Sequence, residues 1–299
     1  MVAPLYLAGP TGSGKTAVAL ALARLLAPCE ILNADAFQVY RGMETLSASP
    51  SEEECGACPH HLFGILDPGD ENDAAAFARL ARDTIAEVGD RALPLVVGGS
   101  GLYLKAITHG LSPTPKADPV LRAELEALPL ETLVDRFREL DPEGAAATNL
   151  KNRRYVSRNL EICLLTGRPA SALKQEWTLS SALFKGVYLQ RDRADLDRRI
   201  AARTAAMFKF GVVDEVARLG PLSITAEKAI GLREIRSLLR GELSEADCRE
   251  SIRLATRQYA KRQETWFRRE PGFVPITVAP EEAPGETARR IVERFRLPR

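Results

Sequence analysis

The sequence predicts an α/β fold: a parallel sheet core flanked by helices, interrupted by a helical insertion. Three observations predict it. A short apolar run, "APLYLA" (3–8), enters the glycine-rich stretch "GPTGSGKT" (9–16) and leaves it as an alanine- and leucine-rich helical segment. Apolar strand-like runs then alternate with amphipathic helical ones, as a parallel sheet with crossover helices requires. Between 119 and about 182 that alternation stops, and charged helical segments take over.

In chain order, "APLYLA" ends at Gly9-Pro10 and reads as a buried parallel strand. "KTAVALALARLLAP" carries few turn formers before Pro28, so it reads as a helix. Strand, glycine-rich loop and helix together are the context of a Walker A motif, which makes the core P-loop NTPase-like. "EILNAD" (30–35) and "PLVVGGSG" (94–101) read as the second and third strands, separated by the amphipathic helix "DAAAFARLARDTIAEVGD" closed by Gly89. The proline-rich "HGLSPTPKADP" (109–119) reads as a linker. A strand returns at "FKGVYLQR" (184–191); beyond it the chain is helical apart from a short strand, "FVPITV" (273–278). The division expected is a core domain of 1–112 with 184–299, and a helical insertion domain of 113–183, without internal repeats.

Bulk properties limit the partners. The chain has 41 basic and 40 acidic residues, so no global field draws a polyanion, and nucleic-acid binding must come from local clusters. Its 299 residues are ample for a large core. Five scattered cysteines (29, 55, 58, 163 and 248) form a poor disulfide framework and suit a reducing cytoplasm. Cys55 and Cys58, with His60 and His61 in "CGACPHH", offer half a zinc site at the wrong spacing, so a plain loop is expected there. "MVAPLYLAG" lacks a basic n-region, and no run is long enough to cross a membrane, so a cytoplasmic protein without a membrane partner is expected.

Chemistry concentrates in the loop Gly9, Pro10, Thr11, Gly12, Ser13, Gly14, Lys15 and Thr16. Its glycines let backbone amides turn inward around a phosphate, and the following helix adds its positive end. Lys15 supplies a mobile charge, and Thr16 a hydroxyl for a phosphate oxygen or a Mg²⁺ ion. NTP-hydrolysing proteins of this class hold Mg²⁺ with a carboxylate ending a second apolar strand. Here the best such strand ends "VVGGSG", without one. The acidic candidate is Asp35, closing "EILNAD", as a Mg²⁺ ligand, a general base or a helix N-cap. Arg249, Arg253, Arg257 and Lys261 recur every four residues beside Tyr259 and Trp266, and "KNRRYVSR" (151–158) adds a second basic cluster. Two basic clusters with aromatics suit a folded RNA whose loop bases are splayed and stacked.

In this order, "GPTGSGKT", "NADAFQVYRGM" (33–43), "HHLFGILDP" (60–68), "VVGGSGLYLKA" (96–106), "SRNLEICLLTG" (157–167), "AIGLREI" (229–235) and "TRQYAKRQETWFRR" (256–269) resemble the bacterial tRNA dimethylallyltransferase family over nearly the whole chain. The resemblance implies transfer of a dimethylallyl group from dimethylallyl diphosphate to the exocyclic amine of the adenosine 3′ of the anticodon, with Mg²⁺ as cofactor. It implies that Asp35 is the general base and that Lys15 and Thr16 face the departing diphosphate. Ser100, at the family's threonine position in "GGTG", would touch the bridging oxygen, and Arg203 would reach the diphosphate. By the same resemblance tRNA contacts fall on Asp35, Ala36, Phe37 and Gln38; on Arg122; on Arg154, Tyr155, Val156, Ser157 and Arg158; and on Lys228, Ala229, Ile230, Gly231, Leu232 and Arg233. A monomer is expected.

The chain departs from the family pattern at Ala36-Phe37, at "ETLSASP" (44–50), at Tyr155 and at Leu232. None of these removes a catalytic group; they bear on tRNA contacts and loop conformation. The rival readings are a P-loop small-molecule or nucleotide kinase using Asp35 as base, and an RNA-binding module with a vestigial P-loop.

Overall fold

The computed structural model describes residues 2–110, 114–179 and 184–297. Six strands form one sheet: β1 (Leu5–Ala8), β2 (Cys29–Asn33), β3 (His60–His61), β4 (Leu93–Gly98), β5 (Lys185–Arg191) and β6 (Phe273–Val278). Their order across the sheet is β3-β2-β4-β1-β5-β6, and every neighbouring pair is parallel.

The sheet is covered on both faces, so its strands are continuous apolar runs whose side chains alternate between two cores. Leu5, Leu7, Ile31, Leu95, Val97, Val187 and Leu189 point to one face, where Val18 and Leu22 of the Lys15–Leu25 helix and Ile291 and Val292 of the Pro284–Phe295 helix meet them. Tyr6, Ala8, Leu32, Val96 and Tyr188 point to the other, packing with Phe77, Tyr103, Leu104, Ile252 and Phe267. Because all strands run the same way, the loops after β1, β2 and β4 open at one edge, the carboxyl edge where α/β sheets bind ligands.

Two strands end earlier than the sequence suggests. β2 stops at Asn33, whose Oδ1 accepts the Asp35 amide at 2.7 Å while its Nδ2 donates to the Leu62 carbonyl at 3.0 Å. That local turn takes Asp35 out of the ladder. β4 stops at Gly98, and a helix, Gly101–His109, begins where the strand was read to continue. Consecutive glycines carry no side-chain periodicity to mark the change, and close packing requires them. A Cβ on Gly98 would lie 2.2 Å from the Ala34 carbonyl oxygen, and one on Gly101 2.3 Å from the Trp266 ring. His60–His61, read as a plain loop, is a two-residue edge strand paired with Ile31 and Leu32.

The chain divides into two compact units, Met1–Ile107 with Leu183–Arg299, and Thr108–Ala182. The second has its own core, in which Leu125, Leu133, Phe137, Val156 and Leu160 from its helices are buried. Capping is explicit there: Asp118 accepts two amides at the start of Pro119–Ala127, and the αL residue Gly167 closes Arg153–Thr166.

Candidate active site at the carboxyl edge of the sheet

The loop after β1 turns on Gly12 (φ 81°) and Gly14 (φ 86°), both in the left-handed region that glycine enters without steric cost. Ser13 N–H closes a turn onto the Pro10 carbonyl at 3.1 Å. Gly14 then opens the Lys15–Leu25 helix with no side-chain cap and no acidic residue in the first turn. The positive helix end is therefore left to a ligand anion. Loop carbonyls turn away from that end and meet arginines: Arg191 Nε donates to Ser13 O at 2.8 Å, and Arg199 Nε to Gly12 O at 2.7 Å. Asp195 holds Arg191 at 2.9 Å. Thr16 lies half-buried in the first helical turn.

One cleft gathers Thr11, Lys15, Asp35, Phe37, Gln38, Arg203 and Tyr259. Burial pulls the Lys15 ammonium down to about 8, with Asp35 opposing that shift and Arg203 adding to it. Burial likewise lowers Arg203, again opposed by Asp35. The Arg203 guanidinium donates to Thr11 Oγ1 at 2.6 Å and to the Ser47 carbonyl at 3.3 Å. Two cations thus face one carboxylate in a desolvated place, an arrangement that an incoming polyanion would relieve.

Asp35 is not a helix cap, because no helix follows it. Its Oδ1 accepts the Phe37 amide at 3.1 Å in a short turn, and the next helix, Glu44–Ser47, has Met43 at its N-cap. Ser100, just past β4, accepts the Ala36 amide on its Oγ at 3.0 Å. Burial, then the nearby Asp35 charge, pushes the Tyr259 phenol up to about 12. Lys15, Asp35 and Arg203, far apart in sequence, therefore line one opening, and Ser100 is tied to it through the Ala36 amide next to Asp35.

The remaining candidates fall into three groups. Phe37, Gln38, Ala229 and Ile230 line the same cleft, and Gln38 Nε2 donates to the Ala48 carbonyl at 2.8 Å. Gly231 (φ 98°) opens the Leu232–Leu239 helix; Lys228 and Arg233 are exposed, whereas the Leu232 side chain is wholly buried. In the second unit, the buried Glu161 carboxylate pairs with Arg158 at 2.6 Å and Arg122 at 3.3 Å. Arg154 and Tyr155 are exposed, Val156 sits in the core, and Ser157 Oγ is buried without a hydrogen-bond partner.

Two expectations need correction. The arginine stripe on the Glu245–Phe267 helix is largely neutralised: Arg249 pairs with Glu245, Arg253 with Glu250, and Arg257 with Asp197. Trp266 is not free to stack on a base, because its ring lies against Gly101 and packs edge-on with Phe267. Among the described residues, no group of three or more His, Cys, Asp or Glu side chains forms a metal cluster. In the former zinc candidate, His61 Nε2 meets Glu30 at 2.7 Å and His60 Nδ1 meets the Cys58 carbonyl at 2.8 Å.

Sequence reasoning missed Arg191, Arg199 and Gln263. Gln263 Oε1 accepts the Thr11 amide at 2.9 Å, and its Nε2 donates to the Gly99 carbonyl at 2.9 Å. The available signal for Gln263 was Ile252, Thr256, Tyr259 and Gln263, uncharged residues that recur at helical spacing along one face beside the basic stripe. No helix of the described residues is long and apolar enough to cross a membrane.

Comparison with known proteins agrees with this geometry. Residues 38–270 match the family model described as IPP transferase. The tRNA dimethylallyltransferase of Akkermansia muciniphila is 46% identical over 292 residues, covering 97% of this chain and 99% of the relative. That of Halorhodospira halophila is 43% identical, covering 93% and 94%. The crystal structure of the tRNA isopentenylpyrophosphate transferase from Bacillus halodurans superposes with a TM-score of 0.70 at 32% identity, covering 99% of this chain and 95% of that one. A eukaryotic dimethylallyltransferase acting on tRNA shares the fold, with a TM-score of 0.79 at 23% identity over 98% of this chain and 78% of its own. With well over half its length matched by the family model and with relatives this close along nearly its whole length, the chain belongs to the IPP transferase family.

Proposed function

We propose that this protein transfers a dimethylallyl group from dimethylallyl diphosphate to the N6 amine of the adenosine immediately 3′ of the anticodon in tRNA. The observation that carries this reading is the single cleft in which the phosphate loop, two desolvated cations and the Asp35 carboxylate converge. A hydrolase must aim water at a γ-phosphate; this cleft instead sets a base opposite a leaving-group site. The loop after β4, where related hydrolases carry a Mg²⁺-binding carboxylate, is Gly99-Ser100-Gly101.

The reaction forms a bond between N6 and the donor's C1, and breaks the bond from C1 to the bridging oxygen. Diphosphate departs with the electron pair, and the N6 proton passes to Asp35. An adenine amine is a weak nucleophile because its lone pair is delocalised into the ring, so a positioned carboxylate assists its attack. Charge gathers on the departing diphosphate, toward which the loop amides, Lys15 and Arg203 are already directed. Ser100 meets the bridging oxygen. These roles follow the match between this chain's residues and the family's motifs.

The donor set also fits Mg²⁺, which binds few protein oxygens and completes its shell with water and substrate phosphate. Thr16 would hold the ion, and the ion would neutralise leaving-group charge. The adenosine must leave its stack to reach so enclosed a site. Exposed Arg154 and Arg233 and the Arg122–Glu161–Arg158 cluster would hold the tRNA backbone. Incubation with unmodified tRNA and labelled dimethylallyl diphosphate, then digestion, tests the reading. The label should appear on the N6 of one adenosine next to the anticodon. ATP turnover exceeding donor consumption would favour a kinase instead.

A further inference from the structure

We infer that Gln263 is a positioning residue that staples the phosphate loop to the Gly99-Ser100 loop, fixing the leaving-group site against the residue that meets its bridging oxygen. The inference rests on the proposed prenyl transfer. It begins from chemistry only an amide supplies. Thr11 N–H needs an acceptor and the Gly99 carbonyl needs a donor; the Gln263 side chain offers one of each, both at 2.9 Å. The two backbone partners also fix which end of the amide is oxygen. A carboxylate could satisfy Thr11 but would set an acceptor against the Gly99 carbonyl.

The staple is buried and tightly fitted. Gln263 is 5% exposed. A Cβ on Gly99 would lie 2.4 Å from Gln263 Nε2 and 3.0 Å from the Gly9 carbonyl oxygen, so the amide sits where only glycine admits it. From this point hydrogen bonds spread both ways. Thr11 carries on its hydroxyl the bond from Arg203, and Ser100, next to Gly99, accepts the Ala36 amide beside Asp35. Tyr259, one helical turn before Gln263 on the same helix, lines the cleft with Asp35. Four groups assigned to the reaction thus hang on two loops, and Gln263 ties those loops directly. Geometry of this kind is where small displacements cost large factors in rate.

The test uses the full chain with Gln263→Met, which keeps length and apolar bulk, and Gln263→Glu, which keeps one acceptor. Each is made alone and with Ser100→Ala, with thermal unfolding as a check on folding. Single-turnover transfer at saturating substrates should fall by about tenfold to a hundredfold in Gln263→Met, the scale of a misplaced reacting group. tRNA affinity should stay within about twofold of the parent, because the staple touches no RNA-facing group. Pyrophosphate, titrated calorimetrically, should bind more weakly to Gln263→Met, and more weakly still to Gln263→Glu, whose charge faces the anion. With Ser100→Ala already present, Gln263→Met should cost much less, since part of what it positions is gone. Transfer and pyrophosphate binding unchanged in a folded Gln263→Met protein would overturn the inference. So would losses that multiply fully with Ser100→Ala. If the parent transfers no prenyl group yet its pyrophosphate affinity depends on Gln263, the proposed reaction fails while the staple stands. If the parent transfers normally and the variants match it, only the staple fails.

Discussion

Lys15 carries a pH dependence that can be worked from its surroundings. Burial holds its ammonium near 8 in the free protein, well below the ordinary lysine value, and the adjacent Arg203 adds to the depression. A bound diphosphate places negative charge beside both cations and returns the proton's stability. Donor capture therefore uses the protonated form. With a pKa of about 8, the protonated fraction falls from roughly nine-tenths at pH 7 to one-tenth at pH 9. Values of kcat/KM for the donor should fall about tenfold across that interval, and about tenfold again for each further pH unit. Lys15→Arg keeps its charge throughout, so its profile should lose this limb even if its overall rate is lower. The stability consequence has the opposite sign. Between about 8 and the unfolded value of about 10.4, the unfolded chain binds more protons, so stability rises with pH across that window. Initial rates at low donor and saturating tRNA, from pH 6.5 to 9.5, provide the measurement. A flat profile, or the same inflection in Lys15→Arg, would refute the reasoning.

Other substitutions separate structural from functional groups. Ser13 Oγ is buried with no partner, so Ser13→Ala should stabilise the unliganded protein by about 1 kcal/mol in denaturant unfolding; destabilisation would mean the hydroxyl is satisfied. Arg253 and Arg257 pair with Glu250 and Asp197, so neutralising both should leave the salt dependence of tRNA binding nearly unchanged. Arg154 is exposed, and Arg154→Gln should lower the log–log salt slope by about 1; equal slopes for both variants would remove the distinction.

The strands and the phosphate loop were legible because they obey local rules. β6 spans the "FVPITV" that its β-branched residues mark, and Gly12 and Gly14 occupy the conformations their identity suggests. The end of β4 was not legible, since the glycines there answer to Ala34, Gln263 and Trp266, which lie elsewhere in the chain. For the same reason the Glu245–Phe267 helix was read from its charged side. Periodicity shows that a helix has faces, but only the tertiary fold shows that Tyr259 and Gln263 face Ser100 and Thr11. Charge spacing shows Glu250 three residues before Arg253, but it could not show Asp197, which meets Arg257 from another helix. Asp35 stood out as a lone carboxylate after a strand; the absence of a following helix removed its capping alternative.

The claim that one cleft sets a base against a departing diphosphate is tested most directly by Asp35→Asn in single-turnover transfer. Both substrates are saturating and Mg²⁺ is varied. The substitution keeps shape and an oxygen for the Phe37 amide, but removes charge and basicity. The account expects donor and tRNA to bind near parental affinity while transfer falls by about a hundredfold to ten-thousandfold, the usual worth of positioned proton transfer. Weak donor binding rescued by high Mg²⁺ would make Asp35 a metal ligand instead. Transfer at the parental rate would contradict the account outright.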